Sequence, residues 1–300
     1  MRATARKTVF LLACFFLLAC PVYAAVFSDD LGRKVTIAPS PRRIVSLAPG
    51  ITEILYALGL DREIAGVTLF CTYPEAARLK PKIGGFTNIS VEKIISLNPD
   101  LVIGTADGNR KETVAQLENL GLPVYVTNPK KLEGVLETVK AIGRIAGKEK
   151  EANKITLELQ NRVKKLSSLV YGRKKRSVFF QVGGEPVITV GRDTLHNQLI
   201  TLAGGVNIAG REKTLYPHYS VEEVVARQPE VIILSSMNYG KEDVAKVWNL
   251  WKKWPNIPAV RDNRMQIIDT DLIDRSSPRI VDGLGEMVKI IHPEVVEKRR

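Results

Sequence analysis

The sequence predicts an α/β protein of two lobes, each with a mostly parallel central sheet, joined by one long helix and enclosing a cleft. The first observation is an internal repeat, because the segment at 90–103 returns in similar form at 220–233. This spacing is far too long for a solenoid and indicates two lobes that carry the same surface element. The second is a segment at 148–171 with apolar residues every three or four positions, which predicts a helix roughly 35 Å long between the lobes.

Each copy of the repeat predicts a short helix that leads into a buried strand. Ser90 and Ser220 are suited to cap the helix N-terminus. Glu92 and Glu222 then fall in the first turn, where the helix dipole favours negative charge. A proline ends each helix, and the apolar triplet that follows is typical of a strand in a parallel sheet. The acids have two interpretations: they stabilise the helix ends, with Glu223 closing a capping box at Ser220, or they are exposed docking points, one on each lobe.

The N-terminal lobe is predicted over 25–130. A hairpin at 26–37 opens it, with a turn at 30–32. Strand and helix patterns then alternate, as expected for a largely parallel sheet. The predicted strands lie at 44–47, 64–68, 101–105 and 124–127, and the predicted helices at 52–58, 91–97 and 111–120.

A helical linker is predicted at 131–172, with a first helix at 132–146 and the bridging helix at 148–171. Gly147 separates the two helices. The second lobe is predicted over 173–300, where the alternation of strands and helices begins again. In addition to the second copy of the repeat, its predicted strands lie at 178–180 and 265–269, and its helices at 195–203, 244–251 and 279–291.

Residues 1–24 are predicted to be a signal peptide for export. Three basic residues precede an apolar run at 9–20 that is too short to span a bilayer permanently. Two ways of processing stay open: cleavage after Ala24, or lipidation of Cys20 in a segment that resembles a lipobox. We therefore expect an exported protein, held at the membrane by a lipid anchor if Cys20 is lipidated.

The chain is basic, with a formal net charge of +12, and loss of the three basic residues of the signal peptide leaves +9. A basic exported protein can bind anionic lipid, nucleic acid or an acidic ligand. Here lysine and arginine are scattered along the predicted helices or gathered at segment ends such as 173–176. They are not interleaved with aromatic residues, and no nucleic-acid-binding motif is present. Nucleic acid is therefore excluded as an expected partner.

Cysteine and motif content argue against a disulfide framework, a metal site and an enzyme. Processing after Ala24 leaves Cys71 as the only cysteine, so no intramolecular disulfide can form. The sequence has no Cys/His metal spacing, nucleophile elbow, P-loop or HExxH. An exported enzyme is the alternative from another class. A third alternative, a passive haem scavenger or adhesin, is disfavoured because such a protein does not need two docking acids.

Five motifs resemble the periplasmic substrate-binding proteins of the single-helix-linked class, which serve importers of vitamin B12, haem and ferric siderophores. They lie at 30–35, 43–49, 52–59, 99–102 and 277–280, so the resemblance covers essentially the whole chain after the signal peptide. It implies two Rossmann-like lobes joined by one rigid helix, with a ligand cleft between them. It also implies a monomer that delivers a small molecule to an ABC permease dimer with a cytoplasmic ATPase.

Within that class, the segments at 73–74, 84–86, 181–183 and 271–279 are most similar to the vitamin B12-binding branch. The resemblance thus implies cobalamin as the ligand, with haem or a ferric siderophore as the alternative, and no cofactor. In that branch, aromatic residues of both lobes enclose the corrin ring. The matching positions are Phe70 and Phe86 in the first lobe, Tyr216 in the second, and Asp271 and Arg275 in a loop that faces the cleft.

The chemistry of these side chains favours the same role. A large, flat, partly apolar ligand needs rings that lose little entropy on ordering and a few polar groups at its edge. All five residues follow predicted strands or precede predicted helices, the edge at which α/β sheets usually bind ligands. Phe86 and Tyr216 stand where relatives carry tryptophan, which keeps an aromatic face of smaller area. For each aromatic residue, ordinary core packing is the alternative.

The resemblance also gives the repeat a role. In relatives, the acids that match Glu92 and Glu222 form salt bridges with arginines on the two permease subunits, and Glu222 matches better than Glu223. An exposed ion pair contributes only about 0–1 kcal/mol, so such pairs would set orientation more than strength. Because bending one long helix breaks several backbone hydrogen bonds, we expect ligand binding to close the lobes only slightly.

Two further groups of residues have both a structural and a ligand-binding interpretation. Trp248, Trp251 and Trp254 recur every third residue, and such a stripe is more typical of a packing face than of a ligand wall. His218 follows Tyr216 by two residues, so it is a candidate axial ligand to cobalt or haem iron. A hydrogen-bonded loop residue is the more common role of a lone histidine, and no other metal site is expected.

Overall fold

The computed structural model describes residues 24–184, 186–235 and 241–297. Residues 1–23 of the predicted signal peptide, with Cys20, lie outside the described residues, so the manner of processing stays a prediction. Among the residues that the structure describes, none of the helices combines the length with the apolar content that a membrane span requires.

An antiparallel hairpin opens the N-terminal lobe, as predicted, and consists of β1 (Ala25–Ser28) and β2 (Lys34–Ile37). Asp29 organises its turn, because one carboxylate oxygen accepts the backbone N–H of Arg33 at 2.9 Å. The other oxygen lies 2.5 Å from the Arg33 guanidinium. Arg33 also donates to the Val124 carbonyl oxygen at 3.2 Å, which ties the hairpin to the sheet of the lobe.

The sheet of the N-terminal lobe is parallel throughout and buried. Its strands are β3 (Ile44–Ser46), β4 (Ile64–Val67), β5 (Leu101–Thr105) and β6 (Val124–Thr127). Their spatial order is β4-β3-β5-β6. The helices of the lobe are α1 (Pro49–Ala57), α2 (Val91–Ser96) and α3 (Lys111–Asn119), with a short 3-10 helix at Glu75–Leu79. Almost every strand residue is buried, as a parallel sheet covered on both faces requires.

The lobes are joined by α4 (Leu132–Ile145) and α5 (Glu149–Val170). Gly147 lies between them with a φ of 67°, a conformation that glycine adopts without strain. α5 falls within the predicted bridging segment. Its Ala152 belongs to the core of the N-terminal lobe, and its Leu159 belongs to that of the C-terminal lobe. The bridging helix is therefore packed into both lobes.

The sheet of the C-terminal lobe is mostly parallel, as predicted. In the described residues its strands are β7 (Arg176–Gly183), β8 (Val187–Thr189), β9 (Gly205–Asn207), β10 (His218–Tyr219), β11 (Val231–Ser235) and β12 (Met265–Ile268). Their order is β10-β8-β7-β11-β12, and β9 also pairs with β7. The short strands β8 and β10 form an antiparallel edge that the sequence did not predict.

Helices surround this second sheet and complete the lobe. They are α6 (Leu195–Leu202), α7 (Val221–Arg227), α8 (Lys241–Lys252), α9 (Pro258–Arg261), α10 (Thr270–Ile273), α11 (Ile280–Ile291) and α12 (Glu294–Glu297). α11 packs against the bridging helix α5. The contact is reinforced at the surface by an ion pair of 2.5 Å between Arg162 of α5 and Asp282 of α11.

Both copies of the repeat form the predicted helix and strand. The Ser90 hydroxyl accepts a backbone N–H of α2 at 3.2 Å, and the Ser220 hydroxyl accepts one of α7 at 3.1 Å. A residue with positive φ precedes the proline in each copy, with 45° at Asn98 and 46° at Gln228. The buried strands β5 and β11 follow. The repeat in the sequence is therefore a repeat in local structure.

The structure differs from the predicted capping box at Ser220. Ser220 caps the helix, but the carboxylate of Glu223 pairs with Arg227 at 2.7 Å instead of returning to the cap. The two residues are four positions apart on α7, where an acid and an arginine are neighbours on the helix surface. This pair leaves Glu222, at the preceding position, exposed and separate.

The tryptophan stripe packs in the core of the C-terminal lobe. Trp251 is fully buried, and its ring lies edge-on to Phe179 with centroids 5.4 Å apart. Its indole N–H donates to Gln181 Oε1 at 2.7 Å. Trp248 and Trp254 are partly buried against the same core. The stripe is therefore a packing face, and the ligand-wall alternative is wrong.

Candidate ligand-binding site

The first lobe presents two aromatic rings on loops that follow its parallel strands. Phe70 lies three residues after β4 and is 56% exposed. Phe86 is half-buried in a loop closed by a bridge between Gly84 and Ile89. A Cβ on Gly85 would lie 3.7 Å from the Phe70 ring, which places that ring against the Phe86 loop. The structure thus brings the two predicted rings to the same edge of the lobe.

Asn109 fixes the position of the Phe86 loop, although no sequence pattern indicated this role. Its amide nitrogen donates to the carbonyl oxygens of Leu47 at 3.1 Å and Phe86 at 3.3 Å. Its amide oxygen accepts the Thr105 N–H at 2.7 Å. The neighbouring Gly108 leaves room for the Phe86 ring, because a Cβ there would collide with it. One buried amide therefore ties the loop to the ends of β3 and β5.

Cys71, whose state the sequence leaves open, is a buried free thiol. Its sulphur accepts a hydrogen bond from the Thr52 hydroxyl at 3.1 Å and lies 3.2 Å from the Thr68 hydroxyl. These contacts anchor the chain beside Phe70. The segment cannot shift without breaking buried polar contacts, which are costly to leave unmade.

The second lobe presents Tyr216 from the loop before β10, with 49% of its surface exposed. Its pKa is raised, first by burial and then by the negative charges of Asp274 and Asp107. Asp274 belongs to the second lobe, whereas Asp107 belongs to the loop after β5 of the first lobe. Tyr216 is therefore uncharged at physiological pH, and an acid of each lobe contributes to this.

Asp271 and Arg275 are brought together at α10. Asp269 caps this short helix by accepting the Asp271 N–H at 2.9 Å. Arg275 Nη2 lies 2.6 Å from Asp271 Oδ1, and it also donates to the Phe70 carbonyl oxygen at 3.3 Å. The predicted loop thus meets the first lobe at Phe70. The guanidinium of Arg275 is directed at that lobe and is only 13% exposed.

A residue that the sequence patterns missed, Glu53, holds Arg275 from the other lobe. Glu53 lies on α1, and its side chain is 2% exposed. It accepts hydrogen bonds from Arg275 at 2.9 Å and from the Ser277 hydroxyl at 2.6 Å. Arg279 lies 3.3 Å from the same carboxylate. A single acid within the apolar helix predicted at 52–58 was the available signal, because a buried charge needs a partner.

A second buried polar pair lies near Tyr216 and was also missed. His196 of α6 and Asp274 are 2.6 Å apart, between Nε2 and Oδ1. His196 Nδ1 and Asp274 Oδ2 are buried without a hydrogen-bond partner in the described part of the chain. The imidazole also lies against Phe180, with ring centroids 5.2 Å apart. The pair therefore has polar capacity that a ligand or water can use.

The two predicted docking acids are both exposed. The pKa of Glu92 is lowered, because its own backbone N–H and then the Ser90 hydroxyl donate to its carboxylate, the hydroxyl at 2.9 Å. Glu222 lies at the same position of α7. Each helix leads into a strand of the parallel sheet, so its N-terminus lies at the carboxyl edge of the strands. The loops that carry the predicted ligand residues lie at the same edge.

His218 lies in β10, where it pairs with Ile188 of β8, and it is exposed. Across residues 24–184, 186–235 and 241–297, no group of three histidine, cysteine or carboxylate side chains is placed to hold a metal ion. A single axial ligand to a metal within a bound macrocycle needs no such group. The axial role of His218 therefore stays a prediction.

Known proteins that bind cobalamin or haem are similar to this chain. The vitamin B12-binding protein of Vibrio campbellii is 31% identical over 283 residues, which cover 94% of this chain and 98% of that protein. The vitamin B12-binding protein of Vibrio cholerae has a crystal structure with a TM-score of 0.74 and 28% identity, covering 84% of this chain and 97% of its own. The periplasmic haem-binding protein RhuT of Roseiflexus sp. RS-1, in apo form, gives a TM-score of 0.76 at 29% identity. The match covers 85% of this chain and 99% of that protein's chain.

The similarity includes both lobes and the bridging helix. The sequence profile of the family described as periplasmic binding protein matches residues 44–272, from β3 to α10. This range is more than half of the chain, and it contains Phe70, Phe86 and Tyr216 as well as Glu92 and Glu222. The chain therefore belongs to the periplasmic binding protein family.

Proposed function

We propose that this protein is the substrate-binding component of an ABC importer, which captures cobalamin between its lobes and delivers it to a membrane permease. The observation that carries the proposal is the pair of exposed rings, Phe70 and Tyr216, which belong to opposite lobes, with Phe86 beside the first. Membership of the periplasmic binding protein family supports the transport role. The 31% identity to a vitamin B12-binding protein supports cobalamin as the ligand.

Exposed aromatic rings favour a large and partly apolar ligand. Phe70 and Tyr216 are 56% and 49% exposed. Apolar surface removed from water contributes roughly 25 cal/mol per Å², so a flat ligand that covers both rings gains from each. A corrin ring has such a face and is bordered by amide groups. These amides can donate to the carboxylates of Asp271 and Asp274.

Haem or a ferric siderophore is the alternative ligand for the same cleft. The haem-binding protein from Roseiflexus supports this alternative, with His218 as the candidate ligand to the iron. Cobalamin is favoured over these alternatives by the 31% identity to a vitamin B12-binding protein. The acids near the predicted site do not favour one ligand over another, because Asp271 is paired with Arg275 and Asp107 with Lys130.

The permease would meet the protein at Glu92 and Glu222, one exposed acid on each lobe. Pairing with arginines of a permease dimer would orient the cleft over the transport path. The protein would act as a monomer outside the cytoplasmic membrane, either free in the periplasm or held by a lipid anchor at Cys20. We assign it no catalytic role.

Calorimetric titration of the exported, processed protein tests the proposed function. Cyanocobalamin is the ligand, with haemin and a ferric catecholate as comparators. We expect tight one-to-one binding of cyanocobalamin and little heat with the other two. Saturation by an iron chelate without cyanocobalamin binding would keep the transport role and assign the alternative ligand. No binding of any of the three would contradict the proposed function.

A further inference from the structure

We propose that Glu53, in the N-terminal lobe, is a positioning residue of the ligand site: it holds Arg275 of the C-terminal lobe in the orientation that leaves Asp271 available to the ligand. This inference rests on the proposed function, because it takes Asp271 as a ligand contact. It adds Glu53 of the opposite lobe, so residues of both lobes determine the geometry of the site at this edge of the cleft.

Glu53 is a buried carboxylate whose hydrogen-bond donors come from the other lobe. Its side chain is 2% exposed, and it lies 222 residues before Arg275 in the sequence. Oε2 accepts the Ser277 hydroxyl at 2.6 Å, and Oε1 accepts Arg275 Nη1 at 2.9 Å. A buried carboxylate with charged donors has a defined geometry and is costly to leave unpaired. Glu53 therefore fixes one end of the guanidinium.

Arg275 divides its guanidinium between two carboxylates. Nη1 donates to Glu53, and Nη2 lies 2.6 Å from Asp271 Oδ1. Nη2 also donates to the Thr72 hydroxyl and the Phe70 carbonyl oxygen, both at 3.3 Å. The contact between Arg275 and Asp271 thus runs from Nη2 to Oδ1. The side chain of Asp271 keeps 40% of its surface exposed, so its carboxylate can still accept hydrogen bonds from a ligand.

Loss of the Glu53 charge would change which carboxylates the Arg275 guanidinium contacts. A guanidinium pairs most strongly with one carboxylate through two parallel hydrogen bonds. Without Glu53, Arg275 would turn onto both oxygens of Asp271 and occupy the acceptor that the ligand needs. Glu53 thus acts on the ligand through Arg275 and does not touch the ligand itself.

The contacts around Glu53 hold the lobes close together at this edge. A Cβ on Gly50 would lie 3.0 Å from the Ser276 carbonyl oxygen, so the backbones of the two lobes approach closely. The Arg279 guanidinium lies 4.0 Å from the centre of the Tyr73 ring and 3.3 Å from Glu53. Arg275 therefore has little freedom to leave its position while its contact with Glu53 is intact.

Glu53→Gln tests the proposal, because it keeps the length of the side chain and removes its charge. We expect cyanocobalamin affinity, measured by calorimetry, to fall about tenfold or more. Made in an Arg275→Gln background, the same change should lower affinity less than about twofold, because Glu53 acts through Arg275. No loss in the first comparison, or equal losses in both backgrounds, would overturn the proposal.

Ser277→Ala is the matched control within the same cluster. It removes a hydrogen bond to Glu53 and leaves the Arg275 contact in place. We expect a lower free energy of unfolding, with cyanocobalamin affinity within about twofold of the unaltered protein. A loss of affinity as large as that of Glu53→Gln would show a general structural effect and would overturn the positioning role.

Glu53→Asp covers the case in which the glutamine variant does not fold. It keeps the buried charge and withdraws the carboxylate from Arg275 by one methylene. Affinity for cyanocobalamin should then fall by about threefold or more, with circular dichroism confirming the fold. Unaltered affinity in a folded Glu53→Asp protein would overturn the proposal.

Failure of the proposed function is distinguishable from failure of this inference. If the unaltered protein binds no cyanocobalamin, the proposed ligand is wrong. The contact of Glu53 with the other lobe is then tested by measuring the separation of the lobes. Spin labels at Lys111→Cys and Thr201→Cys, two exposed positions on different lobes, report that separation. Glu53→Gln should broaden the measured distance distribution. An unchanged distribution would overturn the role of Glu53.

Discussion

The two copies of the helix and strand repeat have the same backbone and different surroundings. In each copy a serine caps a short helix, a residue with positive φ precedes a proline, and a buried strand follows. In the first lobe the Glu92 carboxylate accepts the Ser90 hydroxyl at 2.9 Å. In the second lobe Glu222 has Glu223 beside it, which pairs with Arg227 at 2.7 Å.

The repeat therefore determines the position of each acid, whereas the charged residues around it differ between the lobes. Arg227 stands where the first copy has Leu97, and its guanidinium lies 4.7 Å from the centre of the Tyr219 ring. In the second lobe a positive charge, paired with Glu223, therefore stands at a position where the first lobe is apolar. A permease dimer that offers the same arginine to both lobes would pair with Glu92 and Glu222 unequally.

The largest effect is expected when both docking acids are removed. Glu92→Ala combined with Glu222→Ala should abolish uptake into vesicles that contain the permease. Cyanocobalamin affinity should stay intact, because neither acid contributes to the predicted ligand site. Glu223→Ala, at the neighbouring position, is the control and should keep most of the uptake. Unchanged uptake by the double variant would refute the docking role of the repeat.

Each lobe also contains a buried tyrosine whose pKa is raised. The pKa of Tyr125 is raised to about 12, first by burial and then by the charges of Asp30 and Asp29. The pKa of Tyr219 is also raised to about 12, first by burial, although Arg227 acts in the opposite direction. Each value exceeds the ordinary value of 10.0, so unfolding releases protons between about pH 10 and pH 12, and stability falls as the pH rises.

Tyr125→Phe and Tyr219→Phe should each reduce this alkaline loss of stability. Between about pH 9 and pH 12, the free energy of unfolding, measured in urea, should fall less in each variant than in the unaltered protein. The expected difference is on the order of 1–2 kcal/mol. Tyr171→Phe is the control, because Tyr171 is 90% exposed, and it should leave the pH dependence unchanged. If neither Tyr125→Phe nor Tyr219→Phe alters the pH dependence of the free energy of unfolding, these tyrosines do not cause the alkaline loss of stability.

The helix caps test how similar the two copies are. Ser90→Ala and Ser220→Ala should each lower the free energy of unfolding by about 1 kcal/mol, measured in urea, because each removes an N-cap. Ser90→Ala should also raise the pKa of Glu92 toward its ordinary value, since it removes one of the donors that lower it. A carboxyl titration by NMR checks this shift. Equal pKa values for Glu92 before and after the change would contradict it.

The smallest effect is expected for the separation of the lobes on ligand binding. α5 is packed into both lobes, and Glu53 joins them at the edge of the cleft. We expect X-ray scattering with and without cyanocobalamin to give nearly the same radius of gyration. The unaltered protein without ligand, at matched concentration, is the reference. A large fall in the radius would show a hinge closure that this arrangement opposes.

Much of the fold was predictable because it depends on residues that are near one another in sequence. The cap at Ser90 and the apolar residues of the bridging segment at 148–171 are local signals, and the structure places helices there. The short strands β8 and β10 were not predictable, because three and two residues carry no periodicity. Their pairing depends on neighbours in space.

The candidate site was predictable in part, and the missing part is made of distant contacts. The rings of Phe70 and Phe86 were expected on the same edge, and the structure places them there. The contact of Glu53 with Arg275 joins residues 222 positions apart, and no local pattern encodes it. Asn109 likewise acts through carbonyl oxygens of β-strand ends and loops that the chain brings together only on folding.

Removing one ring from each lobe shows whether the ligand lies between the lobes. We predict that Phe86→Ala and Tyr216→Ala each weaken cyanocobalamin binding by about tenfold or more, measured by calorimetry on folded protein. Tyr171→Ala, which removes a ring that is 90% exposed on the bridging segment, should leave the affinity unchanged. Loss of affinity from both rings is the predicted result, and an unaltered affinity in either variant would contradict a ligand held by both lobes.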